Sequence, residues 1–291
     1  MSVPLILSGK EVSQFVYETL KDRIAFLNSQ NIIPGLAAVL VGDDPASQVY
    51  VRSKTKIFNS LSLHTETFRL SSDISDGDLL ELIGRLNVDS SFHGILVQLP
   101  LPKHINPQHI LSSIRPDKDV DGFHPENTGL LSLGEPRYIP CTPKGIMRIL
   151  DYYDIDLKGK NVVVVGRSNI VGRPISILTS LKMNGANGTT TICHSGTPNI
   201  EYYTQSADVI IVALGVPHFL TGSMIKEGAI VVDVGINRID ADTEKGYRLV
   251  GDAHWDEIIT KVSAATPVPG GVGPMTIAML VENTVEAAEN I

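Results

Sequence analysis

The chain has 291 residues, of which 43% are hydrophobic and 19% charged, and its formal net charge is −8. This length can hold two domains or one large domain, and the composition is typical of globular proteins. A negative charge without any run of basic residues argues against nucleic acids and anionic membranes as partners.

Two further features concern the environment of the protein. Residues 1–7 lack a basic stretch followed by a long apolar core, so no signal peptide is predicted. No apolar run approaches the roughly 20 residues of a membrane span. Cys141 and Cys193 are far apart and lie outside any cluster of His and Cys. We therefore expect a cytoplasmic protein with reduced cysteines and without a metal site.

Helical and strand patterns alternate along the first half of the chain, which is typical of an α/β fold. The predicted elements are, in order, a helix over 12–24, a strand over 36–41, a helix from Asp44 or Ser47 to about Ser60, a strand over 64–70, a helix over 74–88 and a buried strand from Gly94 to Gln98.

The second predicted helix carries Tyr50 and Lys54, which lie four residues apart and therefore on one face. Arg52 and Lys56 point elsewhere. One interpretation is a solvated basic face with a half-buried tyrosine. The other is an amine held beside a phenol at the end of a strand, where it could move protons.

Polar residues also follow the strand that begins at Gly94. Gln98 stands at its carboxyl end, where open α/β sheets bind ligands, although its amide could instead cap nearby backbone. Asp117, Asp119 and Asp121 then place three carboxylates within five residues. They could form a metal loop, recognise the edge of a polar heterocycle, or be a solvated acidic turn. The spacing lacks the glycine and distal glutamate of a calcium loop.

The second half opens with a strand over 162–165 that is apolar on both faces and runs into Gly166, Arg167 and Ser168. Gly172 follows at the start of a helical pattern. The turn resembles a dinucleotide-binding fingerprint, except that Ser168 replaces the second glycine of G-x-G-x-x-G. It could equally be a plain α/β connection. Further strands over 189–193, 208–213 and 229–234 predict a parallel sheet with helices on both faces.

The end of the strand over 189–193 bears on the identity of the cofactor. NAD-binding folds usually place Asp or Glu there to hold the ribose 2′-hydroxyl. The residues that follow Cys193 contain no acid over 194–197. Ser195 could donate to a 2′-phosphate and Arg167 could supply positive charge, so the pattern favours NADP.

Proline and glycine are dense over residues 266–276. This density excludes a helix or a central strand, and we expect a last helix from Pro274 to about Asn290. Glycines here would allow the backbone to approach a flat ligand closely. The alternative is a rigid linker between domains.

Taken together, six segments resemble the bifunctional methylenetetrahydrofolate dehydrogenase/methenyltetrahydrofolate cyclohydrolase family, and the resemblance spans essentially the whole chain. The segments are 41–47 (VGDDPAS), 50–54 (YVRSK), 94–102 (GILVQLPLP), 117–124 (DKDVDGFH), 166–168 (GRS) and 267–276 (PVPGGVGPMT).

The resemblance implies two domains with a cleft between them and a homodimeric assembly. Residues 1–141 plus 270–291 would form an α/β folate-binding catalytic domain, and residues 142–269 a Rossmann-like NADP-binding domain. The implied reactions are NADP⁺-dependent oxidation of 5,10-methylenetetrahydrofolate and hydrolysis of the 5,10-methenyl product to 10-formyltetrahydrofolate. Rival interpretations are a shikimate- or amino-acid-type NADP dehydrogenase and a non-catalytic NADP-sensing module.

The resemblance also implies a role for particular residues. Lys54 matches the catalytic lysine, Gln98 its orienting partner, and Tyr50 a residue that lines the pterin and aminobenzoyl region. Asp121 matches the acid that binds the pterin ring. The turn expected to lie along the folate contains Pro267, Gly270, Gly271 and Gly273. The matched cofactor positions are Gly166, Arg167, Ser168, Ser195 and Ile236. Gly196 stands where the family often has a basic residue.

Overall fold

The computed structural model describes residues 3–243 and 246–290. The strands are β1 (Leu5–Ile6), β2 (Gly35–Val41), β3 (His64–Leu70), β4 (Gly94–Val97), β5 (Asn161–Val165), β6 (Thr189–Cys193), β7 (Val209–Val212), β8 (Ile230–Asp233), β9 (Asn237–Asp240), β10 (Tyr247–Val250) and β11 (Ala264–Ala265). The helices are α1 (Gly9–Ser29), α2 (Pro45–Ser60), α3 (Asp76–Val88), α4 (Pro107–Ser113), α5 (Pro125–Leu133), α6 (Cys141–Tyr152), α7 (Gly172–Ser180), α8 (Ile200–Thr204), α9 (Trp255–Ile258) and α10 (Val272–Glu289).

The chain divides into two compact units. Val16–Cys141 with Ile277–Ile291 form one, which we call the Lys54 unit, and Met1–Phe15 with Thr142–Thr276 form the other, which we call the Gly166 unit. Within residues 3–243 and 246–290, no helix is both long and apolar enough to cross a membrane.

The Lys54 unit contains a three-stranded sheet in the order β3-β2-β4, and both strand pairs are parallel. Every residue of β2 is buried, because a central parallel strand is covered on both faces. Leu79, Ile83 and Ile110 pack against one face from α3 and α4. Each such side chain contributes about 1.5–3 kcal/mol by leaving water.

Helix α2 begins where the sequence predicts a helix. Asp44 is its N-cap and accepts a hydrogen bond from the Ser47 backbone N–H at 2.8 Å, while Pro45 occupies the first turn. The helix then buries Val51, Lys54 and Phe58. A lysine is therefore part of the buried face of this helix.

The Gly166 unit contains a six-stranded sheet in the order β1-β11-β8-β7-β5-β6, and every pairing in it is parallel. The predicted parallel sheet is confirmed. Strand β5 pairs with β6 on one side and β7 on the other, so the strand order reverses there. In doubly wound folds this reversal creates the ligand crevice at the carboxyl ends of the strands.

The first strand joins the Gly166 unit because Leu5 and Ile6 pair with Ala264 and Ala265. The chain passes from one unit to the other after Phe15, after Cys141 and after Thr276. The assignment of residues 1–141 plus 270–291 to folate binding, and of 142–269 to the cofactor, describes function and stays a prediction.

The start of the last helix differs from the expectation. Helix α10 begins at Val272, so Gly273 and Pro274 lie in its first turn. The predicted start at Pro274 is therefore two residues late, and the exclusion of a helix is wrong only for residues 272 and 273. A first turn tolerates proline because its N–H groups have no partner within the helix.

Candidate active site

Lys54 is the central group of the candidate site. Its side chain is only 7% exposed, and its Nζ donates a hydrogen bond of 3.0 Å to Gln98 Oε1. Gln98 follows the end of β4, where its backbone N–H donates to Val39 O and its Nε2 donates to Leu99 O at 2.9 Å. The amide therefore holds the lysine amine without adding charge.

Asp121 is electrostatically coupled to this lysine. Burial lowers the pKa of Lys54, and the nearby Asp121 and Cys141 oppose that shift. Burial raises the pKa of Asp121, whereas the charge of Lys54 and a hydrogen bond from Cys141 lower it. The structure thus brings together Lys54, Gln98 and Asp121 in one unit, although Asp121 lies 67 positions after Lys54 in the sequence.

Tyr50 lies one helical turn before Lys54 and is 36% exposed, and burial raises the pKa of its phenol. Arg52 and Lys56 are exposed, as expected for residues that point elsewhere. The interpretation of Lys54 as part of a solvated basic face is wrong. The other interpretation, a buried Lys54 amine beside the half-exposed Tyr50 phenol, agrees with the structure.

The three carboxylates of the acidic loop have separate surroundings. Asp117 forms an exposed ion pair with a neighbouring arginine. Asp119 is buried, and its Oδ2 accepts hydrogen bonds from the His124 N–H at 2.7 Å and from Asn127 Nδ2 at 2.8 Å. Burial raises the pKa of Asp119 to about 7. Of the three, Asp121 is the one coupled to the lysine.

A shared metal site does not explain this loop. Among residues 3–243 and 246–290, no group of three or more His, Cys, Asp and Glu side chains could hold a metal ion. The separate partners of Asp117 and Asp119 also exclude a common ligand set in this arrangement.

The predicted cofactor turn lies at the carboxyl end of β5, where the strand order reverses. Gly166 has φ +128°, and a Cβ on it would lie 2.3 Å from Ala213 O. Ser168 Oγ accepts hydrogen bonds from the backbone N–H groups of Val171 and Gly172 at the start of α7. The serine that replaces the second glycine of the fingerprint therefore stabilises the turn, and Arg167 beside it is exposed.

The residues after β6 form a tight turn. His194 N–H donates to Thr197 Oγ1 at 2.9 Å, and Gly196 N–H donates to His194 Nδ1 at 3.0 Å. A Cβ at Gly196 would lie 3.2 Å from the His194 imidazole, which is a tight contact. Ser195 is exposed. These residues fit a 2′-phosphate in that a donor is accessible and no carboxylate stands in the turn.

The proline- and glycine-rich turn is also in the Gly166 unit. Gly270 has φ +107°, and a Cβ on Gly271 would lie 2.5 Å from Pro267 O, so both positions require glycine. A Cβ on Gly273 would lie 3.2 Å from Ile236 Cδ1. Ile236, which is 43% exposed, therefore lies next to this turn.

Sequence reasoning missed two buried aspartates that shape the same unit. Asp233, at the end of β8, and Asp252 are 4% and 0% exposed. The Asp233 carboxylate accepts backbone N–H groups from Gly235, Asp252 and Ala253. The Asp252 carboxylate accepts those of Leu214, Gly215 and Val216, which follow β7. Asp233 could have been recognised from the sequence, because it is an acidic residue at the end of an otherwise apolar strand.

Comparison with known proteins shows that two family models match the chain. The catalytic domain of tetrahydrofolate dehydrogenase/cyclohydrolase matches residues 7–121, and the NAD(P)-binding domain of the same family matches residues 140–291. The chain belongs to the tetrahydrofolate dehydrogenase/cyclohydrolase family. The predicted resemblance is therefore confirmed.

Members of the family match over nearly the full chain. The bifunctional protein FolD of Chloroherpeton thalassium is 50% identical over 290 residues, which cover 98% of this chain and 99% of that protein. The FolD structure from Campylobacter jejuni is 50% identical with a TM-score of 0.92 and covers 98% of each chain. The Trypanosoma brucei FolD, complexed with NADP cofactor and an inhibitor, is 35% identical with a TM-score of 0.94. That match covers 100% of this chain and 99% of the other.

The rival dehydrogenase is a much more distant match. Shikimate 5-dehydrogenase from Thermus thermophilus is 15% identical with a TM-score of 0.52. At that identity the likeness shows a common fold and carries no argument about the substrate.

Proposed function

We propose that this protein oxidises 5,10-methylenetetrahydrofolate with NADP⁺ and hydrolyses the 5,10-methenyl product to 10-formyltetrahydrofolate, as part of one-carbon metabolism. The observation that carries the proposal is the buried Lys54 amine, hydrogen-bonded to the neutral Gln98 amide and coupled to Asp121, in a chain of this family.

The oxidation places modest demands on the residues of the chain. NADP⁺, when bound, supplies the hydride acceptor. The lone pairs of N5 and N10 stabilise the cation that forms on the bridging carbon, so the protein mainly has to hold the folate in position. We assign this role to Asp121 at the pterin ring, to Tyr50 along the aminobenzoyl region, and to the turn with Pro267, Gly270, Gly271 and Gly273.

Hydrolysis of the methenyl cation requires a proton acceptor, since the attacking water must lose a proton. We assign this role to Lys54. Burial lowers the pKa of its amine, and the positive charge of the substrate would act in the same direction. Gln98 orients the amine without stabilising its charged form. The amine can therefore be neutral for the part of the cycle in which it takes the proton.

The cofactor residues support a preference for NADP. Gly166 provides a turn with no side chain at the end of β5, where the first strand of a dinucleotide fold meets the pyrophosphate. Ser195 and Arg167 would contact the 2′-phosphate, and Ile236 the nicotinamide side. A comparison of KM for NADP⁺ and NAD⁺ tests this assignment, and an equal or lower KM for NAD⁺ would contradict it.

The test of the function combines two assays on the purified protein. Mixing it with methylenetetrahydrofolate and NADP⁺ should produce the near-ultraviolet absorbance of the reduced cofactor. Methenyltetrahydrofolate alone should be hydrolysed faster than in buffer. A non-catalytic NADP-sensing module would bind the cofactor and show neither reaction.

The Lys54→Met variant tests the residue that carries the proposal. Removing a general base typically costs 10²–10⁴ in rate, so cyclohydrolase turnover should fall at least about 100-fold while cofactor binding is unchanged. Lys56→Met is the matched control, because it removes an exposed lysine from the same helix. Full cyclohydrolase activity in Lys54→Met would refute the role of this lysine.

We also propose that the protein is a cytoplasmic homodimer, as the family resemblance implies. Strand β6 is an edge strand that exposes Ile192 at 40%, and such an edge is available to a second copy. Cys141 and Cys193 are buried thiols, which fits a reducing compartment. Light scattering after size exclusion should give twice the chain mass of 31.5 kDa. A monomer mass at micromolar concentration would contradict the dimer.

A further inference from the structure

Asn283 is a fully buried amide on α10, at 0% exposure. Its Nδ2 donates to two backbone carbonyls of the Lys54 unit, Val120 O at 2.7 Å and Ile139 O at 3.1 Å. The same nitrogen lies 3.8 Å from the sulfur of Cys141. One side chain of the last helix therefore joins the acidic loop to the segment that precedes α6.

The carbonyl that accepts the shorter of these bonds belongs to the residue immediately before Asp121. Val120 is 0% exposed, and its side chain fills the space beside Gly94, where an added Cβ would lie 2.7 Å from Val120 Cγ2. The Cys141 thiol donates to the same carbonyl, with the sulfur 3.6 Å from the oxygen. The backbone that carries Asp121 is thus held through the Val120 carbonyl by Asn283 and Cys141.

The Asp121 carboxyl has its own link to this group. The Cys141 side chain also lies within hydrogen-bonding reach of the Asp121 carboxyl and lowers its pKa. Both the backbone before Asp121 and its carboxyl group therefore depend on partners that Asn283 contacts. A carboxylate that recognises a flat heterocycle by paired hydrogen bonds needs this kind of support, because a displacement of about 1 Å is enough to lose the geometry.

We propose that Asn283 is a positioning residue for folate binding, which acts by holding the Val120–Asp121 backbone in the orientation that binds the pterin ring. The proposal rests on the proposed function, in which Asp121 binds the pterin. It goes further because it assigns a role in substrate affinity to a residue of the last helix, 162 positions away from Asp121 in the sequence.

The alternative is that Asn283 serves only the stability of the unit. Its loss would leave two buried carbonyls without this donor, so some destabilisation is expected under either account. The distinguishing measurement is the effect on each substrate. A displaced Asp121 raises the KM for the folate alone, whereas a general loss of stability lowers the amount of active enzyme without changing either KM.

The matched control is Thr284→Val. Thr284 is the next residue of the same helix, is also 0% exposed, and donates its hydroxyl to Leu280 O of that helix at 2.7 Å. The substitution removes one equally buried hydrogen bond that does not involve the acidic loop. Its effect on thermal stability gives the background against which the Asn283 variants are compared.

The experiment measures both KM values and kcat of the dehydrogenase reaction in the full-length protein. Asn283→Ala should raise the KM for methylenetetrahydrofolate about tenfold, the equivalent of one lost hydrogen bond, while the KM for NADP⁺ and kcat change less than about twofold. Cys141→Ala, which removes the second donor to Val120 O, should raise the folate KM in the same direction and provides the test if Asn283→Ala does not fold.

Three outcomes would be informative. A selective rise in the folate KM in Asn283→Ala, or in Cys141→Ala where Asn283→Ala does not fold, supports the proposal if Thr284→Val shows no such rise. The proposal is overturned if folded Asn283→Ala has an unchanged folate KM. The same holds for an unchanged folate KM in Cys141→Ala where Asn283→Ala does not fold. An equal rise in the folate KM of Thr284→Val also overturns it. An inactive wild-type protein would instead refute the proposed function, so the two failures are distinguishable.

Discussion

The neutrality of Gln98 is the feature of the site that is most open to a decisive test. Gln98→Glu keeps the size of the side chain and replaces an amide with a carboxylate next to the Lys54 amine. We expect this variant to lose cyclohydrolase activity while it retains the dehydrogenase activity. The physical reason is that a carboxylate stabilises the charged form of the lysine, which cannot accept a proton.

The size of the effect follows from the geometry. Lys54 Nζ lies 3.0 Å from Gln98 Oε1. At that separation a unit negative charge stabilises the ammonium by about 5 kcal/mol for an effective dielectric constant of about 20. Since about 1.4 kcal/mol corresponds to a factor of ten, the fraction of neutral lysine falls roughly 10³–10⁴-fold. The cyclohydrolase rate should fall by a comparable factor.

The assay follows both reactions in the same preparation. Hydrolysis of methenyltetrahydrofolate is measured as the decay of its absorbance, and the dehydrogenase reaction as formation of reduced cofactor. Gln48→Glu is the matched control, because Gln48 lies on α2 and the change adds the same charge without contacting Lys54. A cyclohydrolase rate within tenfold of wild type in Gln98→Glu would refute the argument that this step needs a neutral amine.

Three further predictions concern other parts of the protein. Asp121→Ala should raise the KM for the folate far more than that for NADP⁺, and equal effects on both would refute its assignment to the pterin. Gly166→Ala should raise the KM for NADP⁺ more than about tenfold, because its Cβ would lie 2.3 Å from Ala213 O at a φ of +128°, and an unchanged KM would contradict the assignment of this turn. The pKa of Asp119 is raised from 3.8 to about 7, so the folded state binds this proton more tightly and stability should fall as pH rises from about 4 to 7. Asp119→Asn should flatten that slope in denaturant titrations across this range, and an unchanged slope would show that Asp119 does not cause it.

Much of the local structure was determined by the sequence alone. Strand β6 was predicted over the residues where it occurs, and helix α2 is capped by Asp44, one of the two candidate caps. These features depend on hydrophobic periodicity and on turn chemistry, which are properties of neighbouring residues. The family resemblance rests on short segments of the same local kind.

The roles within the acidic loop were decided by the tertiary structure. Asp117, Asp119 and Asp121 have the same side chain, and they differ only in the groups that surround each of them. One carboxylate is exposed with an arginine, one is buried with amide donors, and one is coupled to Lys54. Desolvation and charge coupling depend on groups that are distant in the sequence, so composition and spacing alone do not separate the three, and only the family resemblance singled out Asp121 in advance.

Two features of the chain ends have the same explanation. Strand β1 pairs with β11, and Asn283 holds the backbone at Val120, although each pair is widely separated in the sequence. The sequence by itself determined most of the longer helices and strands and several of the residues that carry chemistry. The tertiary structure decided which of those residues meet, because burial and hydrogen bonding between distant segments are established only when the chain packs.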